Sequence, residues 1–453
     1  MMPRILFCAP SSGTGKTTVT CAVLRAFQRR GLKLAACKSG PDYIDPMFHQ
    51  KVLDTPSTNL DLFFFSPETA RALLRQVGEG ADLTVLEGAM GFYDGIATSE
   101  RASAYDLALQ TETPAVLVLD GRGSALSLAA TVKGFQAFRS PNPIRGVLLN
   151  RAKPAMAQRL GEMLLRETGL PLLGCLPPLE GCGFESRHLG LVTAGEIQDL
   201  QQKLDRLADA AAESLDLDAI LELAREAPDV KDKLKLPKAP RGKVKIAVAR
   251  DEAFCFYYES SLRILRSLGA TLVDFSPLHD KKLPKGVCGL YLGGGYPELH
   301  AEALAMNHAM RESVRAAVAA GMPTVAECGG FLYLHEMLED TNGTDWPMAG
   351  VIPGRAWNTG KLGRFGYVTL TARTDGLLCQ AGEELPAHEF HYWDSRHPGD
   401  SFRAQKPLSN RGWDCGVHAP TLYAGFPHFH FWARPEMARN FVAAARRYKE
   451  ESL

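Results

Sequence analysis

Short runs of apolar residues alternate with longer stretches of helical periodicity along the first 225 residues. The apolar runs have the length of buried strands and lie at 5–8, 34–37, 84–86, 116–119, 146–149 and 171–175. Amphipathic stretches separate them, and an Ala- and Leu-rich helical segment at 194–225 closes the series. Because strands that alternate with helices build a mostly parallel sheet covered on both faces, the pattern predicts a doubly wound α/β domain.

The periodicity stops at 227–243, a segment with three prolines, many charges and few apolar residues. This composition is typical of a linker. An apolar strand pattern resumes at 244–249 and opens a second α/β domain. We therefore predict one domain at 1–226, a linker at 227–243 and a second domain at 244–453, with exposed loops at 340–346 and 398–412.

Composition narrows the classes of function. The 453 residues include 51 Lys plus Arg and 51 Asp plus Glu, so net charge gives no indication of a nucleic-acid or anionic-membrane partner. The ten cysteines are scattered through apolar patterns, which favours a reducing cytoplasm over a disulfide framework. The chain enters a predicted strand at once and has no apolar run of about 18 residues, so we expect neither a signal peptide nor a transmembrane helix.

The first predicted strand leads into PSSGTGKTT at 10–18 and then into a helical stretch. A strand, a glycine-rich turn and a helix N-terminus present several backbone NH groups to phosphate, as in a P-loop. Pro10 replaces the first glycine of the strict pattern, and a glycine-rich turn without nucleotide is the structural alternative. The candidate ATP-binding residues here are Ser12, Gly13, Thr14, Gly15, Lys16, Thr17 and Thr18.

Two further strand ends carry polar residues. The candidates after the second and third predicted strands are Lys38, Asp42, Tyr43, Asp45, Glu87 and Asp94. Ligands of open α/β sheets bind beyond the carboxyl ends of the strands, so these two loops and the P-loop should converge on one site. The alternative is that Asp45 and Asp94 only form turns, since exposed loop aspartates commonly do.

Cys328 lies in PTVAECGGFLYL at 323–334, which reads as a strand, a sharp turn and a helix start. This pattern is typical of a nucleophile elbow with a thiol in place of a hydroxyl. The helix dipole should favour the thiolate, and the backbone NH of Gly329 can face an oxyanion. A buried, inert cysteine is the structural alternative.

Such a thiol needs a proton acceptor and a second oxyanion donor. Downstream, AGFPHFHFW at 424–432 places His428 and His430 on one face if strand alternation holds. Upstream, GLYLGGGYPELH at 289–300 is a buried strand that runs into three glycines, and the NH of Gly295 can approach a ligand closely. A structural histidine pair or a zinc site is the alternative for the two histidines.

The order of glycine loop, cysteine and histidine resembles class I glutamine amidotransferases over about 243–453. The Glu that usually follows the histidine by two residues is absent, because His430 occupies that position. The full motif set resembles the family of cobyrinate and hydrogenobyrinate a,c-diamide synthases through APSSGTGKTT, KSGPDYIDP, LEGAMGFYDG, ESRHLGLVTAGE (185–196), LGGGYPE, ECGGFLYL, HEFHYWD and HFHF. Two departures are small, with Ala387 before HEFHY in place of Gly and Phe426 in place of Tyr.

The resemblance implies a dethiobiotin-synthetase-like P-loop domain followed by a flavodoxin-like amidotransferase domain. It implies that Cys328 attacks the amide of L-glutamine, that NH groups of Gly295 and Gly329 stabilise the oxyanion, and that His428 carries the proton. ATP would then activate a tetrapyrrole carboxylate, and the ammonia released from glutamine would amidate it at the a and c acetates.

For the ATP-dependent half, the resemblance assigns three sets of residues. ATP would be held by the P-loop with Lys38 and Asn150, the latter reading adenine. Mg2+ would be held by Thr17, Asp42 and Glu87. The corrinoid substrate would be contacted by Asp42, Tyr43, Ile44, Asp45 and Asp94, with Asp45 and Asp94 also catalytic.

Two other functions stay open at this point. The Ni-sirohydrochlorin a,c-diamide synthases use the same chemistry on another macrocycle. A nucleotide-dependent regulatory or partitioning protein with a degenerate amidotransferase domain belongs to another class, and the intact Cys328 and His428 argue against it. The choice of tetrapyrrole, the order of the two amidations, the ammonia route and the oligomeric state, including a homodimer, are left undecided by the sequence.

Overall fold

The computed structural model describes residues 2–182, 194–240 and 242–451. The chain divides into two compact units, Met1–Leu234 and Lys235–Leu453, called here the N-terminal and C-terminal units. Most of the motif at 185–196 lies outside the described residues. None of the helices in the described ranges combines the length and apolar composition needed to cross a membrane. All ten cysteines fall within those ranges and are buried, free thiols.

A seven-stranded parallel sheet forms the centre of the N-terminal unit. Its strands are β1 Arg4–Cys8, β2 Leu34–Ser39, β3 Ser57–Leu60, β4 Leu83–Glu87, β5 Ala115–Asp120, β6 Ile144–Asn150 and β7 Leu172–Leu176. Their spatial order is β3-β2-β4-β1-β5-β6-β7, so β2, β3 and β4 lie on one side of β1 and β5, β6 and β7 lie on the other. The predicted doubly wound fold is confirmed, and its reversal point places the loop after β1 at the usual ligand crevice.

Helices connect these strands in the order expected of parallel βα units. They are α1 Lys16–Arg29, α2 Ile44–Lys51, α3 Pro67–Gly78, α4 Ala104–Gln110, α5 Leu126–Phe138, α6 Ala157–Thr168, α7 Ala194–Ser214 and α8 Leu217–Arg225. The apolar faces of α1, α7 and α8 pack into one core with β1 and β4, which includes Val23, Phe27, Leu204 and Ile220. The sheet is thereby fixed beneath the loops that carry the polar motifs.

The edge strand β3 is absent from the sequence prediction. Its residues, Ser57, Thr58, Asn59 and Leu60, lack the apolar run used to predict the other strands. It forms nevertheless, because its backbone pairs in parallel with β2, from Ala36 opposite Ser57 onwards. An edge strand bonded on one side needs backbone pairing more than it needs apolar side chains on both faces.

Residues just after α8 are bonded to the body of the N-terminal unit. The buried Arg4 guanidinium donates to the carbonyl oxygens of Pro228 at 2.6 Å and Thr111 at 2.8 Å. Arg71 forms a two-contact ion pair with Asp232, at 2.8 and 3.2 Å. These contacts attach the beginning of the segment predicted as a linker to β1 and α3.

The described residues of the C-terminal unit form four sheets. Its strands are β8 Val244–Ala249, β9 Phe254–Phe256, β10 Ala270–Phe275, β11 Gly289–Leu292, β12 Gly294–Gly295, β13 Thr324–Glu327, β14 His335–Glu339, β15 Asp345–Pro347, β16 Ile352–Asn358, β17 Arg364–Ala372, β18 Glu384–His391, β19 Trp393–Ser395, β20 Phe402–Gln405, β21 Gly412–Cys415, β22 Val417–Ala419, β23 Leu422–Gly425 and β24 His428–Phe429. The central sheet has six strands in the order β10-β8-β11-β13-β23-β22. Its parallel part, β10 to β23, carries the cysteine elbow at the end of β13.

Helices α9 Glu259–Ser267, α10 Ala301–Met306, α11 His308–Ala319, α12 Gly329–Leu334 and α13 Pro435–Glu451 complete this unit. A second sheet, β21-β20-β17-β18-β24, carries His428 on its edge strand. The prediction of an exposed loop at 398–412 is wrong in part, because β20 lies within it and buries Phe402 and Ala404 against β17. The sequence did not predict β20, because polar and proline-containing segments flank its two apolar residues.

Candidate functional site

The P-loop follows β1 and leads into α1. Gly15, the N-cap of α1, has φ of 97°, a conformation that favours glycine. Lys16 is buried, and its ammonium donates to the carbonyl oxygens of Ser11 at 3.1 Å and Met90 at 2.6 Å. Ser12 and Gly13 are exposed at the tip of the loop. The loop therefore has a fixed base and an open tip, as phosphate binding requires.

Asn150, at the end of β6, lies against the base of the P-loop. Its side-chain amide donates to the carbonyl oxygen of Thr14 at 2.9 Å, and both residues are buried. A Cβ on Gly15 would lie 1.9 Å from the Asn150 amide nitrogen, so only glycine fits there. Asn150 thus supports the loop directly, in addition to the adenine contact that the sequence predicts for it.

The loop after β4 packs on the P-loop. Phe92 donates its backbone NH to Ala9 O at 2.8 Å, and a Cβ on Gly91 would lie 2.5 Å from Pro10 O. Asp94 is exposed, and its carboxylate accepts the backbone NH of Gly91 at 3.0 Å. The predicted proximity of this loop to the P-loop is present in the structure, and Asp94 also forms the turn that its sequence context suggested.

Lys38 connects the remaining two loops through its ammonium group. It lies 2.7 Å from Glu87 Oε1 and also forms an ion pair with Asp45. The same Glu87 oxygen accepts the hydroxyl of Thr17 at 2.6 Å. Side chains from the start of α1, the ends of β2 and β4 and the start of α2 therefore meet in one cluster at the carboxyl edge of the sheet, and Thr18 is the half-buried residue after Thr17 on α1.

The charges of this cluster compensate one another. Burial alone would raise the pKa of Asp45, but the Lys38 ammonium lowers it below the ordinary value. Burial raises the pKa of Glu87 and, together with the Asp45 charge, raises that of Asp42 to about 6. Lys38 itself has a raised pKa, because the attraction of Asp45 and Glu87 exceeds the effect of burial. The expectation that Asp45 is an exposed loop carboxylate is wrong, since it is 8% exposed and paired.

Asp42 organises the start of α2. Its Oδ1 accepts the backbone NH of Ile44 at 2.7 Å and of Asp45 at 3.3 Å. Tyr43 is buried and Ile44 is half-buried at the first position of the helix. The motif KSGPDYIDP thus forms a strand end, a turn and a helix start, and it directs Asp45 back towards Lys38.

The cysteine elbow lies at the carboxyl end of β13. Cys328 has φ of 48° and ψ of −101°, a strained conformation for a residue with a side chain, and it is the N-cap of α12. Its backbone NH donates to Gly425 O on β23 at 2.8 Å. Burial raises the pKa of its thiol well above the ordinary value, and the Glu298 charge adds to this. Burial in the elbow therefore opposes the helix dipole, which we expect to favour the thiolate.

The glycine loop approaches the elbow closely. A Cβ on Gly329 would lie 2.9 Å from the backbone nitrogen of Gly295, so these two backbone NH groups are neighbours. A Cβ on Gly294 would lie 2.5 Å from His428 Cε1. The loop, the elbow and the histidine therefore meet, as the sequence predicted, and the absence of side chains on the glycines permits it.

The two histidines have different surroundings. His428 is 3% exposed, lies opposite His388 in the pairing of β18 with β24, and has its pKa lowered to about 3 by burial. His430 follows the end of β24, so the predicted alternation does not extend to it. Its Nε2 lies 2.8 Å from Ser260 Oγ, and its Nδ1 accepts the NH of Trp432 at 3.1 Å. Across the described ranges, no three His, Cys, Asp or Glu side chains cluster as metal ligands would.

Glu327 is a residue of this site that the sequence analysis did not select. It precedes Cys328, is 1% exposed, and its Oε2 lies 3.9 Å from His428 Nδ1. The family pattern directed attention to a Glu after the histidine. The available signal was a single acidic residue within the apolar strand run before the elbow, since a buried carboxylate needs a specific reason to be there.

Two protein families match the chain. The family described as the CobQ/CobB/MinD/ParA nucleotide binding domain matches residues 5–187. The CobB/CobQ-like glutamine amidotransferase domain matches residues 245–436. These ranges contain the P-loop cluster and the cysteine elbow, respectively.

Relatives named cobyrinate a,c-diamide synthase match nearly the whole chain. The one from Thermoplasma volcanium is 36% identical over 455 residues, which cover 99% of each chain. The one from Salmonella typhimurium is 38% identical over 453 residues and 96% of each chain. The one from Listeria monocytogenes serotype 4b is 38% identical over 95% of this chain and 97% of the relative. With this identity over nearly its full length, the chain belongs to the cobyrinate a,c-diamide synthase family.

Proposed function

We propose that the protein is an ATP-dependent, glutamine-hydrolysing ligase that amidates the a and c acetate carboxylates of cobyrinate in cobalamin biosynthesis. The observation that carries this proposal is that one chain holds both a cysteine elbow with its histidine and a P-loop with an acidic cluster. Relatives named cobyrinate a,c-diamide synthase match 96–99% of this chain. Hydrogenobyrinate is the cobalt-free form of the same substrate. Neither the Ni-sirohydrochlorin enzyme nor a regulatory protein is favoured by these relatives.

The glutaminase half-reaction takes place at the elbow. Cys328 Sγ attacks the side-chain amide carbon of glutamine, and the NH groups of Gly295 and Gly329 stabilise the oxygen that becomes negative. The thiol proton passes to His428 and then to the departing ammonia, and water hydrolyses the glutamyl thioester. Burial raises the pKa of the thiol and lowers that of the imidazole, which favours the neutral form of each group before glutamine binds.

The synthetase half-reaction takes place at the P-loop. A substrate carboxylate oxygen attacks the γ-phosphorus of ATP, ADP leaves, and a carboxyl phosphate forms. Ammonia then attacks the carbonyl carbon, phosphate leaves, and the nitrogen loses its extra proton. Lys16 and the NH groups of the loop bind the phosphates, and Lys38 supplies a second positive charge beside them.

The residues present fit a magnesium ion that accompanies ATP. The Thr17 hydroxyl and the Glu87 carboxyl contact each other at 2.6 Å, and both supply the oxygen ligands that magnesium prefers. We assign Asp42 as a third oxygen donor from the sequence resemblance; its Oδ1 accepts the backbone NH groups of Ile44 and Asp45. When bound, magnesium neutralises charge on the β- and γ-phosphates. The chain itself orients this donor set through the contact of Lys38 with Glu87.

The corrinoid would be contacted from the KSGPDYIDP motif and the loop after β4. We assign this role to Asp42, Tyr43, Ile44, Asp45 and Asp94. Their support is position, since they follow β2 and β4 at the edge of the sheet where the P-loop lies. The ion pair with Lys38 sets the orientation of Asp45, so this carboxylate is ready to align a substrate group.

Purified protein supplied with ATP, magnesium and glutamine tests the proposal on cobyrinate, hydrogenobyrinate and Ni-sirohydrochlorin. We expect a,c-diamides of the corrinoids, with one ADP and one glutamate released for each amide formed. Amidation of Ni-sirohydrochlorin alone, or ATP hydrolysis without any amidation, would refute it. We further propose a cytoplasmic enzyme without nucleic-acid or membrane partners. Sedimentation at several concentrations would test whether it forms a homodimer.

A further inference from the structure

The usual third member of the amidotransferase triad has no counterpart at position 430. There, His430 is directed towards α9, where its Nε2 meets Ser260 Oγ at 2.8 Å and its ring packs 4.6 Å from that of Tyr258. Its Nδ1 accepts the NH of Trp432. His430 therefore anchors the strand end to a helix, and another group must orient His428.

A different carboxyl group faces the histidine. Glu327, the last residue of β13, lies with Oε2 at 3.9 Å from His428 Nδ1. Two donors hold this carboxyl in place: the backbone NH of Phe429 donates to Oε1 at 3.0 Å, and the hydroxyl of Tyr291 donates to Oε2 at 3.1 Å. Since Phe429 follows His428 directly, one glutamate connects the strand of the nucleophile to the strand of the base.

We propose that Glu327 is the positioning residue of His428 in glutamine hydrolysis, taking the place of the Glu that normally follows the histidine. Its carboxyl group lies beside Nδ1, so the proton of the neutral imidazole is held on Nδ1 and Nε2 is the nitrogen that accepts the proton of Cys328. When the imidazole becomes positive, the adjacent carboxylate stabilises it. Glu327 does not itself take up the proton.

This proposal rests on the proposed function only for its glutaminase half. A distance of 3.9 Å exceeds a hydrogen bond, and catalytic contacts in ligand-free enzymes are commonly long and shorten when substrate binds. Because both groups are buried, the attraction between their charged forms is weakly screened by solvent. Burial raises the pKa of Glu327 to about 8 and lowers that of His428 to about 3, so each group alone resists ionisation. Side by side, a carboxylate and an imidazolium stabilise each other.

Other titratable groups face this pair from the neighbouring elements. Tyr257, Tyr291 on β11, Tyr423 on β23 and Cys328 lie near Glu327, and His388 and His391 on β18 lie near His428, whereas Glu298 and Glu389 act on Cys328. The tyrosines have raised pKa values and His388 a lowered one, because all of them are buried. Burial also raises the pKa of Glu298 to about 7, so Glu298 is the group that must be distinguished from Glu327 in a pH profile.

The main test is Glu327→Gln, which keeps an acceptor for Phe429 but removes the charge. We expect kcat for glutamate release to fall by about 10²–10⁴, as for the carboxyl member of other triads, with KM changed less than about threefold. Amidation driven by ammonium chloride should stay within about twofold of the unmodified enzyme. Glu327→Asp, which retains the charge, should recover part of the loss.

Glu389→Gln is the matched control for removal of a buried charge, because Glu389 is an equally buried glutamate on β18 whose charge also acts on Cys328, but it contacts Trp413 and His391 instead of His428. Its glutaminase rate should change less than about threefold. A loss in Glu389→Gln equal to that in Glu327→Gln would overturn the proposal, as would a Glu327→Gln kcat within threefold of the unmodified enzyme. Loss of ammonia-driven amidation together with a lowered Tm would show that Glu327 is only structural.

Tyr291→Phe provides an answer even if Glu327→Gln does not fold. Removing the hydroxyl donor should raise the pKa of Glu327, so the acidic limb of the kcat/KM profile should move to higher pH. A limb that stays in place would belong to Glu298 and would refute the role of Glu327. Glutamate release is measured without corrinoid, so failure of the unmodified enzyme to amidate any corrinoid would refute the proposed function and leave this test intact.

Discussion

The two sites of the chain treat charge in opposite ways. At the P-loop, Lys38 is paired with Asp45 and Glu87, and these ions are buried but mutually compensated. At the elbow, burial raises the pKa of Cys328 and lowers that of His428 to about 3, so the reacting groups are neutral. One site thus maintains ion pairs in advance, whereas the other forms its charges only during the reaction.

The difference follows from the ligands. ATP and a polycarboxylate substrate carry full charges when they arrive, so a prearranged set of ions can bind and align them. The amide of glutamine is neutral, and charge appears on its oxygen only as the thiol attacks. Backbone NH groups such as those of Gly295 and Gly329 suit that purpose, since they add no net charge to a buried site.

The largest expected effect separates the two sites completely. Cys328→Ala should reduce glutamine-dependent amidation by at least about 10³-fold, because the thioester can no longer form. Ammonia-driven amidation should remain largely intact, since the P-loop site does not need the thiol. Corrinoid products formed with each nitrogen donor provide the measurement, and loss of both activities in a folded variant would contradict the division into two sites.

Lys16→Ala should lower amidation with either nitrogen donor by about 10²–10³, because both routes pass through the carboxyl phosphate. Glutamate release measured without corrinoid and ATP should change little. ATP-dependent amidation with ammonia and glutaminase activity are compared on the same preparation. Near-normal turnover with ammonia would refute the assignment of the P-loop.

A third expected effect compares a paired and an exposed aspartate. Asp45→Asn should lower the free energy of unfolding by about 2–3 kcal/mol, because Lys38 loses one of two buried partners. Asp94→Asn, in an exposed turn, should change it by no more than about 0.5 kcal/mol. Both variants should slow amidation and release monoamide. Denaturant unfolding and product chromatography check this, and equal stability of the two variants would contradict the buried ion pair.

The smallest effect is the acid response of the neutral histidines. Burial lowers the pKa of His430 to about 3, below the unfolded value of about 6.5. The unfolded state therefore binds more protons in this window, so stability is fully present above pH 6.5 and is lost as pH falls towards 3. His430→Gln should reduce the difference between unfolding free energies at pH 7.5 and 5.5 by roughly 1 kcal/mol. An unchanged difference would contradict a neutral, buried His430.

Local sequence was sufficient for the parts of the fold that depend on local chemistry. Glycines and apolar runs predicted the P-loop, the strand ends and the elbow at Cys328 correctly. Local sequence did not predict features that depend on contacts between distant residues. The same loop composition suits an exposed Asp94 and a buried Asp45, and the two differ because Asp45 pairs with the ammonium of Lys38. Likewise, Glu327 gains its significance from His428, which strand pairing brings to it from far along the chain.

The attachment of residues 228–232 has a practical consequence for dissecting the protein. Expression of the first domain alone, cut at 226 as composition would suggest, would deprive buried Arg4 of its acceptor on Pro228 and Arg71 of Asp232. A cut after Leu234, where the first compact unit ends, retains both. The few residues after α8 therefore determine whether the buried guanidinium of Arg4 keeps its acceptor on Pro228 when the N-terminal unit is expressed alone.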